Sequence, residues 1–223
     1  MDESNSKART SATLFLAGGV LVLVLLALHP HGAGADLPAI MASEASLARM
    51  NAWVHGSMLL ANLVLLSAFA LGTPAAGRGS VARTVATVAF ACGAAAMGAS
   101  LLLDGMVVPY LAGKFVASAD AETRSSLLVM VRLCETLIRY LMPWGVAGQS
   151  LGIALWSFTL LGEPGCARVA GAAGLCVGFA VCTGLLMLGG SPLLLMAALF
   201  AAAIWCIAVG ACALRVARRE AGS

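Results

Sequence analysis

Long apolar runs separated by short polar clusters set the pattern of this chain. A helix needs about 20 mainly apolar residues to cross the hydrocarbon core of a bilayer. Thr10 to Leu28 carries no charge, and Met50 to Gly77 holds His55 as its only ionisable side chain. Thr84 to Leu103 is a third run, closed by Asp104. A fourth, from Tyr140 to Gly162, follows a charged, amphipathic approach from Ser125 to Arg139. Val169 to Leu214 is too long for one crossing, and Gly189-Gly190-Ser191-Pro192 divides it, because Gly and Pro are the strongest turn formers. The pattern predicts an all-α, polytopic integral membrane bundle of six transmembrane helices in a single domain. The spans fall at 10–28, 51–72, 84–104, 140–161, 169–188 and 193–214, with the amphipathic approach over 125–139. The segments between them read as loops.

Composition turns the pattern into a class. Of 223 residues, 61% are hydrophobic and 10% charged, with a mean hydropathy of +0.98. A soluble domain has about 45–50% and about 25%. A soluble enzyme domain and a disordered chain are both excluded. The net charge of +3 comes without a basic cluster, so nucleic acid is not an expected partner. Seven cysteines lie mostly within apolar runs without a CxxC pair, and they read as small, inert hydrophobes.

Lys and Arg positions orient the bundle. With the N-terminus inside, Lys7, Arg9, Arg78, Arg83, Arg168, Arg215, Arg218 and Arg219 are cytoplasmic. Arg49, Lys114 and Arg124, with Arg132 and Arg139 on the approach, lie outside. The bias favours an N-in, C-in arrangement. Ala33-Gly34-Ala35 resembles a signal-peptidase site, but the preceding apolar segment is long for a signal peptide, and Asp2 and Glu3 offset Lys7 and Arg9. Retention of the first helix is the expectation. The Ala-, Gly-, Leu- and Arg-rich wording points to a bacterial source and hence to the inner membrane.

Small residues in helical register, Gly148/Gly152, Gly174/Gly178, Ala91/Ala95/Ala99 and Ala198/Ala202, supply close packing where the hydrophobic effect is absent. Packing within one chain is the expectation; a homo-oligomer or a membrane-protein partner is the alternative. The lipid bilayer is the constant partner.

Ionisable residues near helix ends carry whatever chemistry exists, because such residues are costly inside a membrane. His29 and His31 end the first span, His55 begins the second, and Asp104 closes the third. All share the outer boundary. Neutral imidazole suits zinc, copper and iron, so His29, His31 and His55 are candidate metal ligands. A haem would use two of them as axial ligands. Asp104, Arg132, Glu135, Arg139 and Asn62 are candidate binding residues. The arginines and Glu135 share one helix face and read as a surface for an anionic headgroup or substrate, whereas Asn62 extends a polar seam from His55 into the bundle. Neither a phosphate loop, a nucleophile elbow nor an HExxH motif is present. The leading expectation is a binding or assembly role for the outer polar cluster. A metal- or haem-binding redox protein is the alternative. A small-molecule transporter ranks third, because the spans offer few ionisable groups at mid-depth.

Overall fold

The computed structural model describes residues 3–30, 32–72, 80–188 and 190–220. Among these the chain is 91% helical, without strands. Seven α-helices follow one another: α1 (Glu3–Ala27), α2 (Leu37–Leu71), α3 (Ser80–Leu102), α4 (Val108–Ala117), α5 (Ala121–Leu160), α6 (Cys166–Leu188) and α7 (Pro192–Glu220). A π-helical turn, Leu103–Val107, joins α3 to α4 without a break.

Five stretches among the described residues are long and apolar enough to cross a membrane: Ser6–Ala27, Leu37–Leu71, Ser80–Ala117, Cys166–Leu188 and Pro192–Ala217. The sequence pattern predicts six. The helix that falls short is α5, whose inner half is diluted by Pro143, Gln149, Ser150 and Ser157. Elsewhere the lipid-facing flanks are plain: Val81 is 75% exposed, Leu186 85% and Leu193 83%. Apolar exposure on that scale marks a surface that water does not touch.

Much of the expected loop sequence is helical. The segments flanking 51 and 104 were expected to lie outside helices, but α2 begins at Leu37, capped by the Asp36 carboxylate, which accepts from the Ala39 N–H. The third helix continues through Asp104 to Ala117. The approach over 125–139 and the run after it form one helix of 40 residues. These extensions gather at one end of the bundle. There Met41 of α2, Val108, Leu111, Ala112 and Phe115 of α4, and Val131 and Cys134 of α5 bury one another in a small cap. The sequence hid this cap because its apolar positions come from three short segments, each too short to read as a crossing by itself.

Two larger cores fill the bundle. One, nearer the chain termini, stacks Phe15, Phe69, Phe90, Trp156 and Trp205. At that end Arg83 donates to the Gly72 carbonyl at 3.0 Å and to Thr159 Oγ1 at 3.1 Å, and lies over the Trp156 ring. The other core joins Leu25, Val54, Met58, Met97, Leu101 and Val146. Glycines bring the helices together as the small-residue spacing predicts for packing within one chain. A Cβ on Gly148 would lie 2.7 Å from Gly93 Cα, and one on Gly152 would lie 2.8 Å from the Ala86 carbonyl oxygen. Gly174 and Gly178 of α6 sit against Ser157 and Ala154 of α5. The Ala91/Ala95/Ala99 stripe is not used in the same way, since Ala95 is exposed. All seven cysteines are free.

Candidate functional site

The buried base of the cap holds the polar cluster. His55, one turn beyond Asn51 on α2, is 1% exposed. Its Nδ1 lies 2.9 Å from the Asn51 carbonyl oxygen, an atom that can only accept, so Nδ1 carries the proton and donates. In the neutral ring this leaves the Nε2 lone pair facing Asp104 Oδ2 at 3.1 Å. Nε2 and the carboxylate both present lone pairs to one point unless a proton or a cation stands between them.

Asp104 reaches that point because of the π-helical turn. The Val108 N–H donates to the Leu103 carbonyl, five residues back, and the turn carries one extra residue. Pro109 follows, whose ring would crowd the carbonyl four residues before it in a regular helix. The wider turn relieves that crowding. It also lays Gly105 against the imidazole: a Cβ there would overlap His55 Cβ and lie 2.9 Å from its Nδ1. Only glycine fits beside this ring.

His29 arrives from the end of α1, where buried Pro30 stops the helix. Its ring meets that of His55 edge to face, with centres 4.8 Å apart. One donor atom from each of His29, His55 and Asp104 can be chosen so that all lie within 4.8 Å of one another. Three helices thus supply three potential ligands at one point. Two imidazoles on opposite faces of a haem iron would stand about 6 Å apart, centre to centre. The closer edge-to-face pair leaves no room for a porphyrin between these rings. His31 lies outside the described residues.

Two residues that the sequence does not mark complete the setting. Glu44, on the first turns of α2, accepts a hydrogen bond from Asn51 Nδ2 at 3.2 Å and interacts electrostatically with both Asp104 and His55. Asn51 therefore orients His55 through its backbone and Glu44 through its side chain. Helical periodicity, placing Glu44, Asn51 and His55 on one face at i, i+7 and i+11, was the available signal. Reading 29–49 as a loop concealed it.

A cavity of about 780 Å³ runs from this cluster into the bundle. Its rim carries His29, Asp104, Glu135 and Arg139; deeper walls are apolar, with Met58, Met97, Met142 and Ile153 among them. Within it Gln149 Nε2 donates to Asn62 Oδ1 at 2.9 Å, and Asn62 donates onward to the Met58 carbonyl. Asn62 is thus paired with a glutamine that the sequence does not connect to it. Glu135 and Arg139 are both exposed, and among the described residues no ion pair joins them to each other or to Asp104. Arg132 is exposed and does not line the cavity. Beyond the membrane segments, hydrogen bonds from the Thr123 side chain and backbone N–H hold the Asp120 carboxyl below its ordinary range and begin α5.

In comparisons with known proteins, no family model, no curated protein and no solved structure matches this chain.

Proposed function

We propose that the chain is a multi-pass protein of the bacterial inner membrane that binds a divalent transition-metal ion through His29, His55 and Asp104 at its periplasmic end. In this reading six helices cross the bilayer and both termini are cytoplasmic. The inner half of α5 counts as the sixth crossing because it packs between α3 and α6, and because its polar Gln149, Ser150 and Ser157 are buried in the bundle. The Lys and Arg bias supports this orientation.

The observation that carries the metal assignment is the buried His55 imidazole, fixed by its Nδ1–H bond to the Asn51 carbonyl with Nε2 aimed at Asp104. Metal-bound histidines are held in this way by a backbone carbonyl on the far nitrogen. Donors at about 2.0–2.2 Å from one ion lie roughly 3.3 Å apart, close to the His55–Asp104 separation. His29, with a donor atom within 4.8 Å of the other two, would be the third ligand. Two imidazoles and a carboxylate with a fourth position open suit Zn(II) or Fe(II). A bound ion would act there as a Lewis acid, and Glu44, held by Asn51 Nδ2, would add negative charge beside it.

One observation favours a second reading, a metal-free binding or assembly surface. The Nε2–Oδ2 distance of 3.1 Å also suits a shared proton, which would make the pair an internal ion pair.

Elemental analysis of chelator-treated, Zn(II)-reloaded protein in mild detergent separates the two. About one equivalent is expected in the native chain. In Gly105→Ala, where the new methyl displaces the imidazole, affinity is expected to fall about 10- to 100-fold, the range for lost ligand support. No stoichiometric uptake by a folded native chain would leave the ion-pair reading.

A further inference from the structure

The metal site leaves Arg139, Glu135 and the cavity beneath them unexplained. A second apolar space of about 470 Å³ lies beside the first, walled by Tyr140, Trp144, Cys182 and Leu185. Arg139, Pro143 and Gly190 line both spaces. The partition is thin: a Cβ on Gly190 would lie 2.5 Å from Pro143 Cγ. One exposed guanidinium therefore stands over two adjoining apolar spaces, each within the roughly 300–1,000 Å³ of small-ligand sites. That layout matches an amphipath with one phosphate and two hydrocarbon chains.

Glu135 adds the headgroup. It lines the same rim four residues before Arg139 on α5, hence about 6 Å further along the axis toward the cap. Going outward from the hydrocarbon, the chemistry reads apolar space, cation, anion. A phosphoethanolamine head reads chain, phosphate, ammonium in the same direction. A purely anionic head would meet the Glu135 carboxylate where its outer end lies.

We propose that this rim binds a phospholipid with an ethanolamine head, its phosphate on Arg139 and its ammonium on Glu135. One acyl chain enters the larger cavity past Met142 toward the Asn62–Gln149 pair, and the other lies in the outer space against Trp144. Gln149 donates to Asn62 and Asn62 to the Met58 carbonyl, so the chain meets amides that are already bonded to one another.

The test is native mass spectrometry of the delipidated full chain in detergent, with dioleoyl phosphatidylethanolamine and dioleoyl phosphatidylglycerol added at equal concentration. One retained phosphatidylethanolamine per chain is expected, preferred about fivefold, as one partly exposed charge pair supports. Arg139→Gln should weaken retention of both lipids. Glu135→Gln should remove the preference while keeping phosphatidylglycerol bound, and Met142→Trp, which fills the larger cavity, should weaken both. Both charged positions are exposed, so these variants keep the fold. Equal retention of the two lipids by the native chain, or unchanged retention in Arg139→Gln, overturns the proposal. Displacement by millimolar inorganic phosphate with no effect of Met142→Trp would reassign the rim to a free anion and also overturn it.

Discussion

Replacing Gly93 with leucine is expected to abolish the folded bundle. Gly93 is the point where α3 and α5 touch backbone to backbone. A Cβ there would overlap the Gln149 nitrogen and lie 2.7 Å from the Gly145 carbonyl oxygen and 2.8 Å from the Gly148 carbonyl carbon. None of these atoms belongs to a side chain that could rotate away. The helices have to separate along their whole contact, so the cost should reach the upper end of overpacking penalties, about 3 kcal/mol or more. Spreading them also parts Asn62 from Gln149 and opens the second core. The expected result is loss of the monodisperse peak in detergent and of the thermal unfolding transition. Ala95→Leu is the control: two residues away on the same helix but exposed, it should behave as the native chain. Equal behaviour of the two variants would mean that α3 and α5 do not meet at Gly93.

The second large effect is on the metal. His55→Ala should lower Zn(II) affinity at least 100-fold, since it removes the ligand that α2 and the π-helical turn together hold in place. The substitution also leaves the Asp104 carboxylate without its 3.1 Å partner at the base of the cap. His29→Ala is the milder companion: its ring is partly exposed and held mainly by its place after α1, so the fold should persist while metal binding weakens. Competition against a colorimetric chelator measures both. Native affinity in the two variants would remove the imidazoles from the site.

How much of this was legible in the sequence follows from what each feature needs. Helices advertise themselves through apolar runs, and the all-helical, membrane-crossing class was readable at once. A shared depth for His29, His55 and Asp104 was readable too, because the predicted spans end near all three, and the structure brings them together. Three things were not. The cap was hidden because Met41, Val108 and Val131 lie in separate segments whose burial depends on one another. Glu44 was missed with it, since a residue assigned to a loop has no face, and Asn51, at the start of the second span, was left without the partner that gives it a role. The Asn62–Gln149 hydrogen bond joins residues 87 apart in the chain and depends on the way α2 and α5 pack, which no local pattern states. The count of crossings differs for a physical reason as well. The inner half of α5 carries Gln149, Ser150 and Ser157 on the face that it buries against other helices, while Leu151 and Phe158 stay exposed on the other.

The arrangement also assigns distinct work to the two ends of the bundle. At one end Arg83 ties the α2 terminus to α5 over Trp156, and the aromatic cluster fills the space beneath. At the other, His29, Asp104, Glu135 and Arg139 line the cavity mouth beside buried His55.

X-ray absorption at the zinc edge on the Zn(II)-loaded native chain tests the central claim most directly. A first shell of nitrogen and oxygen at about 2.0–2.2 Å, with the outer-shell signature of two imidazoles, is the expected result. One imidazole should disappear from that signature in His29→Ala. A shell of oxygen alone, or a spectrum unchanged by His29→Ala, would contradict the assignment of His29, His55 and Asp104 as the metal site.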